Sequence, residues 1–148
     1  MIEPRDPDFE ARVRASFAAQ SAMKSLQIQL LDLQPGGVTM QLEKSDHLLQ
    51  QQGFIHGGVL AAGLDSACGF AALTLSAPSV EVLSIEFKIS FFRPVTTDKV
   101  QVSGRVIKAG KKVSFCEAEA FSLEDEDQIL LAKMSSSVAM VDMLSLIH

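Results

Sequence analysis

The chain contains only two cysteines among its 148 residues, Cys68 and Cys116, far apart in sequence and among apolar neighbours. Small proteins that depend on disulfides carry more cysteines at closer spacing, so we expect no disulfide framework and a reducing, cytoplasmic location. The N-terminal segment MIEPRDPDFEAR is acidic and contains two prolines. This composition does not fit a signal peptide.

Positive charge is also scarce: 13 Lys and Arg residues face 18 Asp and Glu residues, giving a net charge of −5 without a basic tail. A nucleic-acid partner requires a basic surface, so none is expected. The apolar stretch 57–77 carries Asp65 near its middle and several glycines, and a charge at bilayer depth is costly. We therefore interpret this stretch as the buried helix of a globular protein that has no membrane partner.

The chain has no internal repeat, low-complexity tract or linker, and its length fits a single domain over residues 1–148. Residues 1–25 are predicted to form an N-terminal helical segment, with a helix from Asp8, its N-cap, to Lys24. It is followed by strands 26–33 and 38–42, a long helix 57–75, and strands 82–92, 99–108, 113–123 and 129–141. An acidic turn at 124–127 joins the last two strands. A helix without a polar face must be surrounded by other structure. The order therefore predicts an α+β fold in which a curved antiparallel sheet wraps around helix 57–75. Such a sheet leaves an edge exposed, which predicts dimerisation.

The segment His56-Gly57-Gly58 stands where a polar loop becomes the long helix. Backbone N–H groups at a helix N-terminus lack intrahelical partners and carry partial positive charge, and glycine lets a ligand approach them closely. This arrangement suits a carbonyl oxygen that becomes negative during attack. By itself the pair of glycines is equally typical of a tight turn, and His56 is then a turn residue bonded to backbone.

Asp65 lies two turns into the same helix, and its neighbours at helical spacing are Ala61, Ala62, Cys68 and Gly69. None of them can pair with a carboxylate, and a buried carboxylate without a partner is costly. Asp65 is therefore a candidate catalytic base or nucleophile. The alternative is a structural aspartate that bonds a backbone group or a residue of another element.

Gly57 and Asp65 are eight positions apart, which is about 12 Å along a helix axis. One thioester cannot readily contact both groups of the same helix. If both act on one substrate, they come from two subunits whose long helices run antiparallel. The sequence thus predicts a homodimer with two shared sites.

The segment His56-Gly57-Gly58 followed by Asp65, and then by a strand carrying Ser84, resembles the PaaI-type acyl-CoA thioesterases of the hot-dog superfamily, including the mammalian thioesterase superfamily member 2 group. The similarity extends from about residue 26 to residue 141. It implies a hot-dog fold, hydrolysis of acyl-CoA to a carboxylic acid and CoA without a cofactor, and a homotetramer made of two dimers.

The resemblance also implies roles for individual residues. Gly57 supplies the oxyanion N–H with help from His56, Asp65 of the partner subunit is base or nucleophile, and Ser84 helps to hold the water. The family often has an asparagine where this chain has Gln50, which keeps the amide but adds a methylene. Gly58 is a candidate substrate contact.

The basic cluster Lys108, Lys111 and Lys112, with Arg105 nearby, is the concentrated positive charge of the chain. It is a candidate clamp for CoA phosphates, and the alternative is a solvated hairpin tip. No metal site is expected, because His47 and His148 lack ligand-like spacing. No nucleophile elbow G-x-S-x-G is present.

Two other functions stay open on the sequence. A hot-dog hydratase or dehydratase also binds acyl thioesters, although it usually pairs a histidine with an acidic residue in a different motif. A non-catalytic acyl-CoA sensor typically carries a DNA-binding extension, which the short N-terminal segment does not provide.

Overall fold

The computed structural model describes residues 3–124 and 127–146. The elements are α1 Phe9–Ala19, α2 Ser21–Ser25, β1 Ile28–Gln34, β2 Gly37–Glu43, a 3-10 turn Asp46–Leu48, α3 Gly57–Leu73, β3 Val80–Phe91, β4 Lys99–Lys108, β5 Val113–Glu124, β6 Asp127–Asp142 and α4 Met143–Leu146. The strands form a six-stranded antiparallel sheet in the order β1-β2-β4-β5-β6-β3, and the long helix α3 lies on its inner face. The α+β prediction of a curved sheet around helix 57–75 is confirmed.

The core lies between α3 and the inner face of the sheet. Leu60, Leu64 and Cys68 of α3 are at most 1% exposed, as are Met40 and Val102 of the sheet. Alternate residues of a strand point to opposite faces, so each strand places every second side chain into this core. The apolar helix is stable in water because the sheet covers it.

Gly104 of β4 shows how closely α3 approaches the sheet. A Cβ atom at this position would lie 2.5 Å from the Ala67 carbonyl oxygen of α3, so only glycine allows the observed packing. The next side chain, Arg105, points to the outer face, where it pairs with Glu117 (2.6 Å) and Glu119 (3.3 Å). Two carboxylates therefore neutralise Arg105 on the outer face of the sheet.

The N-terminal segment departs from the prediction of one continuous helix. Gln20 is extended (φ −83°, ψ 96°) and separates α1 from α2, which lets both Val13 and Met23 reach the core. Asp8 occupies the N-cap position, but its side chain makes no capping bond. Asp6 instead accepts the Asp8 N–H through Oδ1 at 2.8 Å.

Strand β3 is one edge of the sheet and pairs only with β6. Several of its large apolar side chains are exposed: Leu83 is 62% exposed, Ile85 56% and Phe87 46%. The register shifts between Ser84 and Glu86, which identifies a β-bulge at Ile85. An edge strand that exposes large apolar side chains and unpaired backbone groups is a surface for pairing with another strand.

Within the described ranges, no helix is long and apolar enough to span a membrane. Of the predicted acidic turn 124–127, Asp125 and Glu126 lie outside the described residues, as does His148.

Candidate active site

The His56 side chain caps the N-terminus of α3. Its Nδ1 accepts a hydrogen bond from the Gly58 N–H at 2.8 Å. Because Nδ1 is the acceptor, the neutral ring carries its proton on Nε2, and the exposed side chain offers Nε2–H as a donor. A Cβ atom on Gly58 would lie 2.9 Å from Nδ1, so glycine is required for this cap. The cap occupies the Gly58 amide, which leaves no direct amide contact from Gly58 to a substrate.

Gly57 is the first residue of α3, and its N–H has no acceptor among the described residues. The next amides are satisfied, because Val59 and Leu60 both donate to the His56 carbonyl oxygen (3.0 and 3.2 Å). The Phe91 ring lies 3.3 Å from the position that a Gly57 Cβ would take. Gly57 therefore presents a free donor at the positive end of a 17-residue helix, beside an aromatic ring.

Gln50 organises the loop that precedes α3. Its side-chain Oε1 accepts hydrogen bonds from the backbone N–H groups of Gln52 (2.5 Å) and Phe54 (3.2 Å). The backbone N–H of Gln50 donates to the Phe54 carbonyl oxygen at 2.8 Å. Gly53 takes a left-handed conformation (φ 87°), which glycine adopts without steric cost. In the single chain the Gln50 side chain thus stabilises the conformation of this loop, and it also lines the cavity beside Gly57.

Asp65 is half-buried and not fully buried as the sequence suggested. Its Oδ1 accepts a 2.6 Å hydrogen bond from the Ser84 hydroxyl of β3. Asp65 therefore has a partner on another element, which is the contact expected of a structural aspartate. Within the described part of the chain, Oδ2 accepts no hydrogen bond. Ser84 orients the carboxylate and leaves one oxygen open to a ligand.

The bulge in β3 explains why Ser84 reaches Asp65. Before the bulge Ser84 faces α3, and after it Phe91 faces α3 as well, next to Gly57. Strict alternation would put residues 84 and 91 on opposite faces, because they are an odd number of positions apart. The insertion of one residue brings both onto the helix side.

Two separate cavities flank the edge strand. The Gly57 cavity, about 320 Å³, is lined by Gln50, Phe54, Ile55, Gly57, Leu60, Phe91, Phe92, Arg93, Pro94 and Val95. The Asp65 cavity, about 480 Å³, is lined by Ser16, Ala19, Gln20, Asp65, Ser66, Gly69, Phe70, Leu73, Glu81, Val82, Leu83 and Ser84. The two linings share no residue, so one chain does not bring the free Gly57 amide and the Asp65 carboxylate into a common site.

Lys108, Lys111 and Lys112 lie at the β4–β5 hairpin, exposed and without ion pairs to any described residue. The Lys112 carbonyl accepts the Met140 N–H at 2.8 Å, and Met140 pairs with Val82 of β3. The hairpin therefore lies at the end of the sheet where β3 begins, the end that also carries the Asp65 cavity.

Both thiols are free and buried, as the absence of a disulfide framework predicted. Burial raises the pKa of Cys116 to about 12 and raises the pKa of Cys68 further. A thiol in this state is protonated at neutral pH, so neither cysteine is a nucleophile. In residues 3–124 and 127–146, no cluster of three or more His, Cys, Asp or Glu side chains could hold a metal ion.

Some residues of the two cavities were not identified from the sequence. Ser16 and Ala19 of α1 and the following Gln20 line the Asp65 cavity, and Arg93 lies at the Gly57 cavity. Neither the packing of α1 beside α3 nor the bulge in β3 has a local sequence signal.

Comparison with known proteins identifies the family. The model of the thioesterase superfamily matches residues 52–129, which is more than half of the chain. A thioesterase family protein from Silicibacter pomeroyi shares 32% identity and superposes with a TM-score of 0.87, over 90% of this chain and 98% of that one. The Escherichia coli PaaI protein of the phenylacetic acid degradation operon has the same fold (TM-score 0.82, 17% identity, 90% and 94% covered). The medium/long-chain acyl-CoA thioesterase YigI of Salmonella typhimurium is 25% identical over 99 residues, 58% of this chain and 62% of that protein. The chain belongs to the thioesterase superfamily and has the hot-dog fold.

Proposed function

We propose that the protein hydrolyses acyl-CoA thioesters at two equivalent sites, each formed by Gly57 of one subunit and Asp65 of the other. The observation that carries the proposal is the separation of the two groups in one chain: a free amide in one cavity and an oriented carboxylate in another. Both cavities border the same exposed edge strand, so a second copy docked on that edge supplies what each cavity lacks.

The Gly57 amide binds the carbonyl oxygen of the thioester. During attack this oxygen becomes negative, and a fixed N–H at the positive end of α3 stabilises the charge without reorganisation. The Nε2–H of His56 is the second donor, because the Gly58 cap holds the ring in the tautomer that carries this proton.

Asp65 of the partner subunit acts either as a general base or as the nucleophile. As a base it takes a proton from water while the water oxygen bonds to the carbonyl carbon; the C–S bond then breaks and the CoA thiolate leaves and is protonated. As a nucleophile it bonds the carbon itself, the C–S bond breaks, the CoA thiolate leaves and is protonated, and water then opens the resulting anhydride at the Asp65 carbon. The Ser84 hydroxyl holds Oδ1 and leaves Oδ2 for either route. A single turnover in ¹⁸O-labelled water separates the two: the base route puts the label in the released acid, whereas opening of the anhydride at the Asp65 carbon puts it in Asp65 and leaves the first acid released unlabelled.

The geometry of β3 determines how two copies would pair. Ser84 lies beside Asp65 near one end of the strand, and Phe91 lies beside Gly57 at the other. Because Ile85 is an extra residue in the strand, Ser84 and Phe91 each lie three paired positions from Lys88. A two-fold axis at Lys88 makes the strand antiparallel to its copy and places Ser84 opposite Phe91 of the partner subunit. This pairing brings Gly57 to Asp65 of the partner subunit twice per dimer. It also covers the exposed Leu83, Ile85 and Phe87.

Subunit mixing tests this arrangement. Asp65→Asn and Gly57→Pro are each expected to be nearly inactive alone. Unfolded together at equal amounts and refolded, they form mixed dimers in which one of the two sites has both native groups. We therefore expect recovery of about a quarter of the wild-type activity, since about half of the dimers are mixed and half of their sites are complete.

The control is each variant refolded alone at the same total concentration. If the mixture is no more active than these controls while mass spectrometry shows mixed dimers, the site does not form between subunits. Activity that appears without mixed dimers contradicts the shared site as well.

The three exposed hairpin lysines are proposed to contact the phosphates of CoA. Replacing Lys108, Lys111 and Lys112 with alanine is expected to raise KM for acyl-CoA about tenfold with little change in kcat, and to weaken its dependence on ionic strength. Hydrolysis of an acyl-pantetheine, which lacks the nucleotide, is the control and stays unchanged. An equal loss on both substrates would assign the lysines a structural role.

The other two functions predict different results with the same substrates. A hydratase converts enoyl-CoA without releasing thiol, whereas the proposed enzyme releases thiol from saturated acyl-CoA. A sensor binds acyl-CoA with no turnover. The paired oxyanion donor and carboxylate favour hydrolysis, because binding alone does not need an oriented acid at the thioester.

A further inference from the structure

The Asp65 cavity has walls from three elements. Helix α3 contributes Asp65, Gly69 and Phe70, strand β3 contributes Val82 and Ser84, and the remaining side is closed by Ser16 and Ala19 of α1 and by Gln20, which follows it. Asp65 and Ser84 lie together, whereas Leu73 is two turns further along α3. The cavity thus extends from the candidate reaction centre toward the C-terminal part of α3.

Helix α1 is a fixed wall of this cavity. Val13 is fully buried, and the rings of Phe17 and Phe70 pack with centroids 5.5 Å apart. The guanidinium of Arg12 donates to Ser76 Oγ (2.9 Å) and to the carbonyls of Ala77 (2.8 Å) and Val80. These contacts hold α1 against the end of α3 and the start of β3, on both sides of the cavity.

Two small residues keep the cavity open. Ala19 on α1 and Gly69 on α3 add at most a methyl group to their walls. A Cβ atom on Gly69 would meet Val82 Cγ2 at 3.8 Å, an ordinary van der Waals contact, so packing does not force glycine here. The missing side chains therefore leave space that a ligand can fill.

We propose that this cavity holds the acyl group of the thioester, and that Ala19 of α1 determines how long an acyl group fits. The proposal rests on the function proposed above and names the part of the substrate that the cavity takes. The apolar members, Phe70, Leu73, Val82 and Leu83, give an acyl chain a surface against which to bury its methylenes. The CoA arm is long and anionic and needs a path to solvent, whereas a space closed on three sides by α1, α3 and β3 suits a group of limited size.

The test compares substitutions at two neighbouring positions of α1. Ala19→Phe fills the cavity, whereas Ala18→Phe adds the same ring to the surface that faces β1, outside the cavity. Both alanines are exposed at the end of the same helix, so the two variants are matched for composition and helix context. Thiol release is measured for acyl-CoAs with chains from two to sixteen carbons.

For Ala19→Phe we expect kcat/KM to fall about tenfold or more on the longer chains and to stay within about twofold on acetyl- and butyryl-CoA, since each excluded methylene costs about tenfold. Ala18→Phe keeps the wild-type profile. Gly69→Ala narrows the cavity from the opposite element and is expected to shift the profile in the same direction, by a smaller factor.

The outcomes separate the two proposals. A wild-type protein that hydrolyses none of the thioesters contradicts the proposed function, and the cavity assignment with it. An active wild type with the same chain-length profile in Ala19→Phe and Ala18→Phe overturns the cavity assignment alone. Circular dichroism and dimer mass establish that both variants are folded, and loss of folding in Ala19→Phe makes Gly69→Ala the deciding variant.

Discussion

Replacing Asp65 with asparagine is expected to lower kcat by about 10²–10⁴-fold, while the protein stays folded and dimeric. Asparagine has nearly the same shape, and its Oδ1 can accept the Ser84 hydroxyl as the carboxylate does. What it loses is the ability to take a proton from water or to attack the carbonyl carbon. Because the hydrogen bond is kept, the loss of rate would reflect chemistry and not the position of the side chain.

The measurement is steady-state thiol release, with circular dichroism and dimer mass as structural checks. Ser84→Ala is the companion variant: it keeps the acid but removes the group that orients it, so we expect a smaller fall in kcat. Wild-type turnover by Asp65→Asn would remove Asp65 from the mechanism. An equal loss in both variants would mean that Asp65 acts only when the Ser84 hydroxyl orients it.

The second large effect is expected from Gly57→Pro, which removes one N–H group. Proline is favoured at the first position of a helix, where the N–H has no intrahelical partner. The preceding residue, His56, already has the extended conformation that proline requires before it (φ −57°, ψ 134°). The substitution should therefore leave α3 intact and remove the oxyanion donor. Loss of one such donor lowers kcat by about 10²–10³-fold.

Gly57→Ala is the matched control. It adds a Cβ atom at the same place, 3.3 Å from the Phe91 ring, and retains the N–H. If alanine lowers kcat as much as proline does, the effect comes from crowding against Phe91 and the amide has no catalytic role. A substantially active alanine variant with an inactive proline variant assigns the loss to the N–H.

Much of the fold could be predicted from the sequence. The hairpin at residues 35–37, the long apolar helix and the four later strands all follow from local periodicity and turn residues, and their bounds agree within a few residues. The break at Gln20 could not be predicted, because no glycine or proline marks it. It results from the burial of Val13 and Met23 against the core, which is a tertiary effect.

The residues of the candidate site could be named from the sequence, but not all of the contacts that these residues make. The hydrogen bond from Ser84 to Asp65 depends on a β-bulge that cannot be predicted from residue types. The Gly58 N–H donates to the His56 side chain, which caps the helix. The family resemblance pointed to Gln50, and the structure gives its side-chain oxygen two backbone donors in the same loop. Side-chain bonds of this kind depend on loop conformation, and sequence spacing does not determine that conformation.

Roles that depend on a second subunit stay predictions, as do the tetramer and the cytoplasmic location. The net charge of −5, however, bears on the lysine hairpin. An acidic protein repels an anion such as CoA at long range, and under the proposed function the three hairpin lysines, which form no ion pair with a described residue, would supply a local attraction.

The exposed edge of β3 has a consequence for how activity depends on the amount of protein. Under the proposed shared site, a folded monomer carries only half of each active site and is inactive, so the specific activity should fall when the protein is diluted below the dissociation constant of the dimer. Activity would then rise with the square of concentration in the most dilute samples and linearly above that range, with a delay after rapid dilution that reports the lifetime of the pair.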